Sequence, residues 1–239
     1  TGSTYINAAK VVITASANFG NSTNIVLNFG GTLSPSNNNF MSSSQALTMT
    51  AGSILDAAGY SSTIGNLVFD CGYLGLAATN ETITVAGTVA SVTNGKPAAG
   101  ILPMTGNLTI SGGYQAYLGG MTAGTGSTCY TQLRINGNVA VGGSSALSLV
   151  LGGPTPMGAQ YTILSNLGVQ PISGTFSGIP QGGSVQGTYG ASNYTLTVSY
   201  TGGDGNDLVL TSLGAGGNQP PIVSIVTPTD GTMYTTTPA

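Results

Sequence analysis

Between residues 131 and 151 the chain reads TQLRINGNVAVGGSSALSLVL. Its apolar residues fall on odd numbers: Leu133, Ile135, Val139, Val141, Leu147, Leu149 and Leu151, with Gly137 and Gly143 keeping the parity. Period two over this length marks strands with one buried face, because successive strand side chains point to opposite sides. The same pattern recurs upstream as apolar-x-apolar-x-small-x-apolar or small. It reads Ile25-Leu27-Phe29-Gly31-Leu33, Leu47-Met49-Ala51-Ser53-Leu55 and Leu67-Phe69-Cys71-Tyr73. It continues as Ile83-Val85-Gly87-Val89, Leu108-Ile110-Gly112-Tyr114 and Leu133-Ile135-Gly137-Val139. The starts lie 22, 20, 16, 25 and 25 residues apart, and Asn24, Asn66 and Asn107 each stand just before one. Val11-Ile13-Ala15 reads as a worn first copy.

A repeat of about 20 residues is the length of one coil of a β-solenoid, in which each strand pairs with its counterpart about 4.8 Å away. No apolar stripe at helical spacing is present, and glycine and β-branched residues are frequent throughout. The predicted fold is therefore all-β, a parallel β-solenoid (β-helix), with the six segments as successive coils. Small residues at the fifth position (Gly31, Ala51, Cys71, Gly87, Gly112, Gly137) let the chain bend at a coil corner. The alternative is an antiparallel β-sandwich in which Asn136-Gly137 makes a tight hairpin turn. Residues 34–44, 96–103 and 118–131 read as loops or lateral excursions.

After Leu151 the pattern changes. The break Gly152-Gly153-Pro154-Thr155-Pro156 is followed by a short strand at 161–164. Strands at 194–200 and 208–211 then flank the turn-rich Thr201-Gly202-Gly203-Asp204-Gly205-Asn206-Asp207. This hairpin is expected to cover the last coil as a C-terminal antiparallel cap. The expected organisation is solenoid coils over 1–151, final coils and cap over 152–213, and a linker with a strand-forming tail over 214–239.

Three stretches in this part run together in a familiar order: Ala159-Gln160-Tyr161-Thr162-Ile163-Leu164, Gly174-Thr175-Phe176-Ser177-Gly178-Ile179-Pro180, and residues 200–211. They resemble the terminal part of autotransporter-associated β-strand repeat proteins, which are large secreted bacterial surface proteins. The resemblance spans about 50 residues well and the upstream repeats loosely. It implies a right-handed parallel β-helix serving as passenger, stalk or adhesin, and it brings no catalytic residues. Asn218-Gln219-Pro220-Pro221-Ile222-Val223-Ser224-Ile225-Val226-Thr227-Pro228 resembles the first strand of a bacterial immunoglobulin-like domain. Such a domain needs ~100 residues. The tail is thus read as cut, as disordered, or as a strand that pairs with a neighbouring subunit through Ile222, Val223, Ile225 and Val226.

Composition narrows the function. Charged residues make up 4% of the chain, against roughly 25% in an average domain. The cations are Lys10, Lys96 and Arg134. Three scattered cations cannot neutralise a run of phosphates, so no nucleic-acid partner is expected. No apolar run approaches the ~20 residues of a membrane helix, so no membrane insertion is expected. The chain opens TGSTYINAAK without a signal-like block and reads as a processed chain or a fragment of a secreted, extracellular or cell-surface protein. A surface with so few repulsive charges favours self-association. The expected partners are copies of itself or glycans of a host or cell surface.

Little chemistry stands out. Gly202-Gly203-Asp204-Gly205-Asn206-Asp207 fits one GGxGxD repeat with Val209 at its apolar position, so any calcium bound here has Asp204 and Asp207 as ligands. One copy supplies half a site, and a plain polar hairpin turn is the simpler reading. No cofactor is expected apart from calcium. Asp56, Asp70 and Glu81 are the acids of the solenoid. Paired carboxylates cleave glycosides, but without histidine a base near neutral pH needs a heavily shifted carboxyl or lysine, so no enzyme is expected. The polysaccharide-binding or polysaccharide-cleaving β-helix remains the alternative function.

Cys71 and Cys129 suggest a disulfide worth about 4 kcal/mol on loop entropy. The repeat register sets them about three coils, roughly 14 Å, apart, beyond the ~7 Å that a bridge spans. A folded-back excursion over 119–128 would close that gap, so both readings stand. Tyr114 and Tyr117 either stack on sugars or, for Tyr114, pack inward with Leu108 and Ile110.

Overall fold

The computed structural model describes residues 2–14, 19–50, 52–57, 59–70, 73–75, 81–93 and 95–216. Within them the protein is all-β: strands and turns are present and no helix is. Accordingly, no helix among the described residues is long and apolar enough to cross a membrane.

Three sheets are built mainly from parallel pairs. The first joins Gly2–Asn7, Ser22–Asn28, Ala46–Met49, Leu67–Phe69, Thr88–Thr93, Gly113–Leu118 and Ala146–Leu151, each parallel to the next. The second joins Lys10–Ile13, Thr32–Pro35, Ile54–Asp56, Tyr73–Gly75, Ile101–Thr105, Gln132–Asn136 and Gln160–Asn166 in the same way. The third is shorter: Ser62–Ile64, Thr82–Val85, Asn107–Ile110 and Val139–Val141. From Ala46 onward the chain visits first, second and third sheet in turn and then returns to the first. The dominance of parallel pairs displaces the antiparallel sandwich. Asn136-Gly137 makes no hairpin; it carries the chain from the second sheet to the third.

Alternation decides which face goes in. Ile25, Leu47, Leu67, Val89, Tyr114 and Leu147 are partners in consecutive strands of the first sheet, and all are buried. Ile64, Val85, Ile110 and Val141 form an equivalent column in the third sheet, as Leu102, Leu133 and Leu164 do in the second. The columns merge into one continuous apolar core. Each such side chain contributes about 1.5–3 kcal/mol on burial. Tyr114 packs inward and donates its hydroxyl to the Ile163 carbonyl at 2.8 Å. Burial raises its pKa far above the ordinary tyrosine value.

The six sequence repeats are real strands but not six successive coils. Ile25, Leu47 and Leu67 do stack in the first sheet. Ile83 and Leu108, however, lie in the third sheet, and Leu133 lies in the second. The step of 16 residues from Leu67 to Ile83 and the last step of 25 from Leu108 to Leu133 are changes of sheet, whereas Ile83 and Leu108 are partners within the third sheet. Residues 131–151 hold nearly one full circuit, with strands in the second, third and first sheets. Strand geometry is the same in all three, so an alternation pattern alone does not say which sheet a segment joins.

Corners are set by glycine. Gly87 N–H donates to the Gly65 carbonyl at 2.9 Å, and Ala146 N–H donates to that of Gly112 at 3.0 Å. A Cβ on Gly112 would run into the Gly87 carbonyl oxygen, and one on Gly137 into that of Gly106. The fifth repeat position is therefore small at Gly31, Gly112 and Gly137 because the preceding circuit's backbone occupies the space, and at Gly87 because the Asn66 side chain does. Ala51, Cys71 and Ala15 lie outside the described residues. Asn66 and Asn107 finish the corners: their side-chain oxygens accept the N–H groups of Thr88 and Asn138, each at 2.8 Å.

Two segments expected to be loops are partly otherwise. Ile101–Thr105 is a second-sheet strand, and Phe40 and Met41, within 34–44, are buried in the core. Beyond Gln160–Asn166 the pairing turns antiparallel, through Asp207–Ala215, then Ser192–Gly202, then Ser184–Tyr189. The hairpin around 201–207 is as expected, but a third strand joins it. The last strand among the described residues runs through Ala215, so Gly214 and Ala215 belong to the sheet rather than to a linker.

Candidate functional site

Among the described residues a concave surface lies where the corner between second and third sheets meets the segment after Gln160–Asn166. Asn136, Gly137 and Asn138 turn the corner, and Leu167, Gly168, Val169 and Gln170 pass beside them. The trough continues over the outer face of the third sheet past Thr82, Asn107, Thr109 and Ala140. At its other end it reaches Asp204, Gly205 and Asn206 of the hairpin turn.

Its wall is pinned. Asn166 is 1% exposed. Its amide nitrogen donates to the Gln170 carbonyl at 2.8 Å, and its side-chain oxygen accepts the Gly168 N–H at 3.0 Å. Asn206 adds a bond from its amide to the Gly168 carbonyl at 2.6 Å. The Asn166 N–H in turn donates to Asp207 Oδ1 at 2.7 Å. Downstream, Ser173 bridges to Ala140, and the Val141 N–H donates to the Ser173 carbonyl at 2.8 Å. Held at both ends, the segment presents Leu167 at 60% and Val169 at 91% exposure.

Asp204 and Asp207 thus sit beside the trough, in the expected turn. One oxygen of Asp207 is committed to a backbone N–H, and its other oxygen lies over Gly203. Burial raises the Asp207 carboxyl above its ordinary value, the Asn166 N–H draws it back, and nearby Asp204 adds to the rise. Among the described residues no group of three or more histidine, cysteine or acidic side chains is placed to hold a metal. What Asp207 visibly does is clasp Asn166.

The acids of the sheets do not converge. Asp56 ends a second-sheet strand, Asp70 follows a first-sheet strand, and Glu81 precedes a third-sheet strand. Lys10 reaches Asp56 at 4.0 Å across two intervals of the second sheet, and Ser34 donates to the same carboxylate at 3.3 Å. Arg134 donates through Nε to Gln132 at 2.6 Å. Tyr117 is half-buried and donates to the Ser127 carbonyl at 3.3 Å. Among the described residues Cys129 is a free, half-buried thiol; Cys71 lies outside them, as do Ile222, Val223, Ile225 and Val226.

The trough was not legible in the sequence. Its sequence signal is faint: Asn-x-Gly or Asn-Gly at corners, in Asn136-Gly137-Asn138 and Asn166-Leu167-Gly168. Compared with known proteins, the chain matches no protein-family model, no curated protein and no solved structure.

Proposed function

We propose that the protein is a secreted, non-enzymatic structural protein: a parallel β-solenoid closed by a C-terminal antiparallel cap, acting as a surface stalk or adhesin or as the subunit of an extracellular filament. The in-register column from Ile25 to Leu147 carries this reading. A stack whose circuits bury the same position against their neighbours is a rigid rod, and rods hold things at a distance. The reading fits the resemblance of residues 159–211 to autotransporter-associated repeat proteins. It also fits a surface of hydroxyls and amides with very few charges. The partners are further copies of the chain or surface glycans. In the filament form, the tail around Ile222–Val226 adds as a strand to the neighbouring subunit.

Electron microscopy of the purified chain, with and without residues 218–239, tests both parts. Elongated particles are expected in either case, with end-to-end fibres lost in the shortened chain. Globular particles would sink the stalk reading; fibres that persist without the tail would sink strand exchange alone. The alternative of a polysaccharide-active β-helix finds support in the trough as a binding surface only.

A further inference from the structure

We infer that the trough between the corner 136–138 and the pinned segment 167–170 is a binding site for an uncharged oligosaccharide. This deepens the adhesin half of the proposed function and rests on it.

The lining sets the ligand's chemistry. Asn107, Asn136, Asn138 and Gln170 bring four carboxamides to the central part, with Thr82 and Thr109 beyond. An amide offers two donors and an acceptor with two lone pairs. Asn107 spends its oxygen on the Asn138 N–H. The side chains of Asn136, Asn138 and Gln170 make no hydrogen bond to other described residues and face solvent. Paired donors and acceptors at one place suit vicinal hydroxyls, which are themselves both donors and acceptors. No charged side chain lines this part, so nothing there would repay the desolvation of an anionic or cationic ligand. Leu167 and Val169 supply an apolar strip against which the C–H face of a sugar ring can lie.

Shape and rigidity agree. The central part encloses about 420 Å³, within the ~300–1,000 Å³ of small-ligand sites. The trough is open along the third sheet, as a chain-like ligand requires. Two strongly exposed apolar residues on a segment clasped by buried Asn166 are already ordered, so little conformational entropy is lost on binding. The Asp204–Asp207 turn acquires a role too: Asp207 and Asn206 position the wall through Asn166 and Gly168.

The full chain is titrated with cellohexaose, mannohexaose and maltohexaose, and with oligogalacturonate as the acidic comparator, by calorimetry and protein NMR. Saturable binding of at least one neutral hexasaccharide is expected at about 1 mM, with no preference for the acidic one. Asn138→Ala and Gln170→Ala should each weaken it about tenfold, while Gln186→Ala, on the exposed face of the terminal strands, leaves it unchanged. The absence of saturable binding to all three neutral sugars, a preference for oligogalacturonate, or binding indifferent to the two trough variants overturns the inference. Micrographs of the same samples keep the readings apart: elongated particles that bind no sugar remove the site and leave the stalk standing.

Discussion

Gly137 and Gly143 stand six positions apart in the same patterned stretch, yet they do different work. A Cβ on Gly137 would strike the Gly106 carbonyl, whereas one on Gly143 would meet nothing within 4 Å. Gly137→Ala must push two circuits apart at the corner and is expected to cost about 1–3 kcal/mol, like other overpacking changes. Gly143→Ala is expected to stay within about 0.5 kcal/mol of the parent. Thermal unfolding followed by circular dichroism distinguishes them; equal losses would mean that the corner is not packed as described. The repeat marks Gly137 as a corner position and leaves Gly143 only its parity, but the contact that makes the first costly to fill and the second cheap comes from the neighbouring circuit's backbone.

The terminal hairpin shows the same limit at the scale of an element. Its strands and turn were legible from Tyr194-Thr195-Leu196-Thr197-Val198-Ser199-Tyr200 and the glycine-aspartate run. The destination of Asp207 was not, because its partner Asn166 is 41 residues away. Since its folded value is raised, the Asp207 carboxyl takes up a proton on folding, and the stability linked to it grows as pH falls through that value. Asp207→Asn keeps an oxygen for the Asn166 N–H. It is expected to match or exceed the parent's stability at about pH 7 and to lose that margin as pH falls through the raised value of the parent carboxyl, below which the parent is protonated too. Asp207→Ala leaves a buried N–H unpaired and is expected to cost about 1–3 kcal/mol at any pH. Melting curves of all three proteins across this range check the sign; a margin that widens on acidification would contradict it.

For the molecule as a whole, the antiparallel strands matter through the edge they cover. Gln160–Asn166 is the last parallel strand of the second sheet, and Asp207–Ala215 occupies its free side. Ser184–Tyr189 packs close to the last first-sheet strand, where Gly187 meets the Leu151 side chain. A chain ending at residue 183 exposes Tyr161, Ile163 and Leu164 along an unpaired edge, in a protein with few charges to keep copies apart. Concentration-dependent aggregation by light scattering is the expected outcome. A shortened chain that stays monomeric and fully folded would show that the strands are dispensable for this purpose.

Local alternation determined much of this protein. It placed Leu133, Ile135, Val139, Val141, Leu147 and Leu151 in the core, marked the corner glycines, and excluded helices, because strand parity and glycine sterics are properties of neighbouring residues. Tertiary structure decided what depends on distant ones. It sent Ile83 and Leu108 to the third sheet and Leu133 to the second, buried Phe40 and Met41 inside a polar-looking segment, and paired Lys10 with Asp56. It also brought Asn138 beside Gln170 and fastened that wall through Asn166, Asn206 and Asp207. Apart from the local bond of Asn166 to Gln170, each of those contacts joins circuits or segments that the chain reaches only after going around, and a pattern of period two carries no record of how far around it has gone.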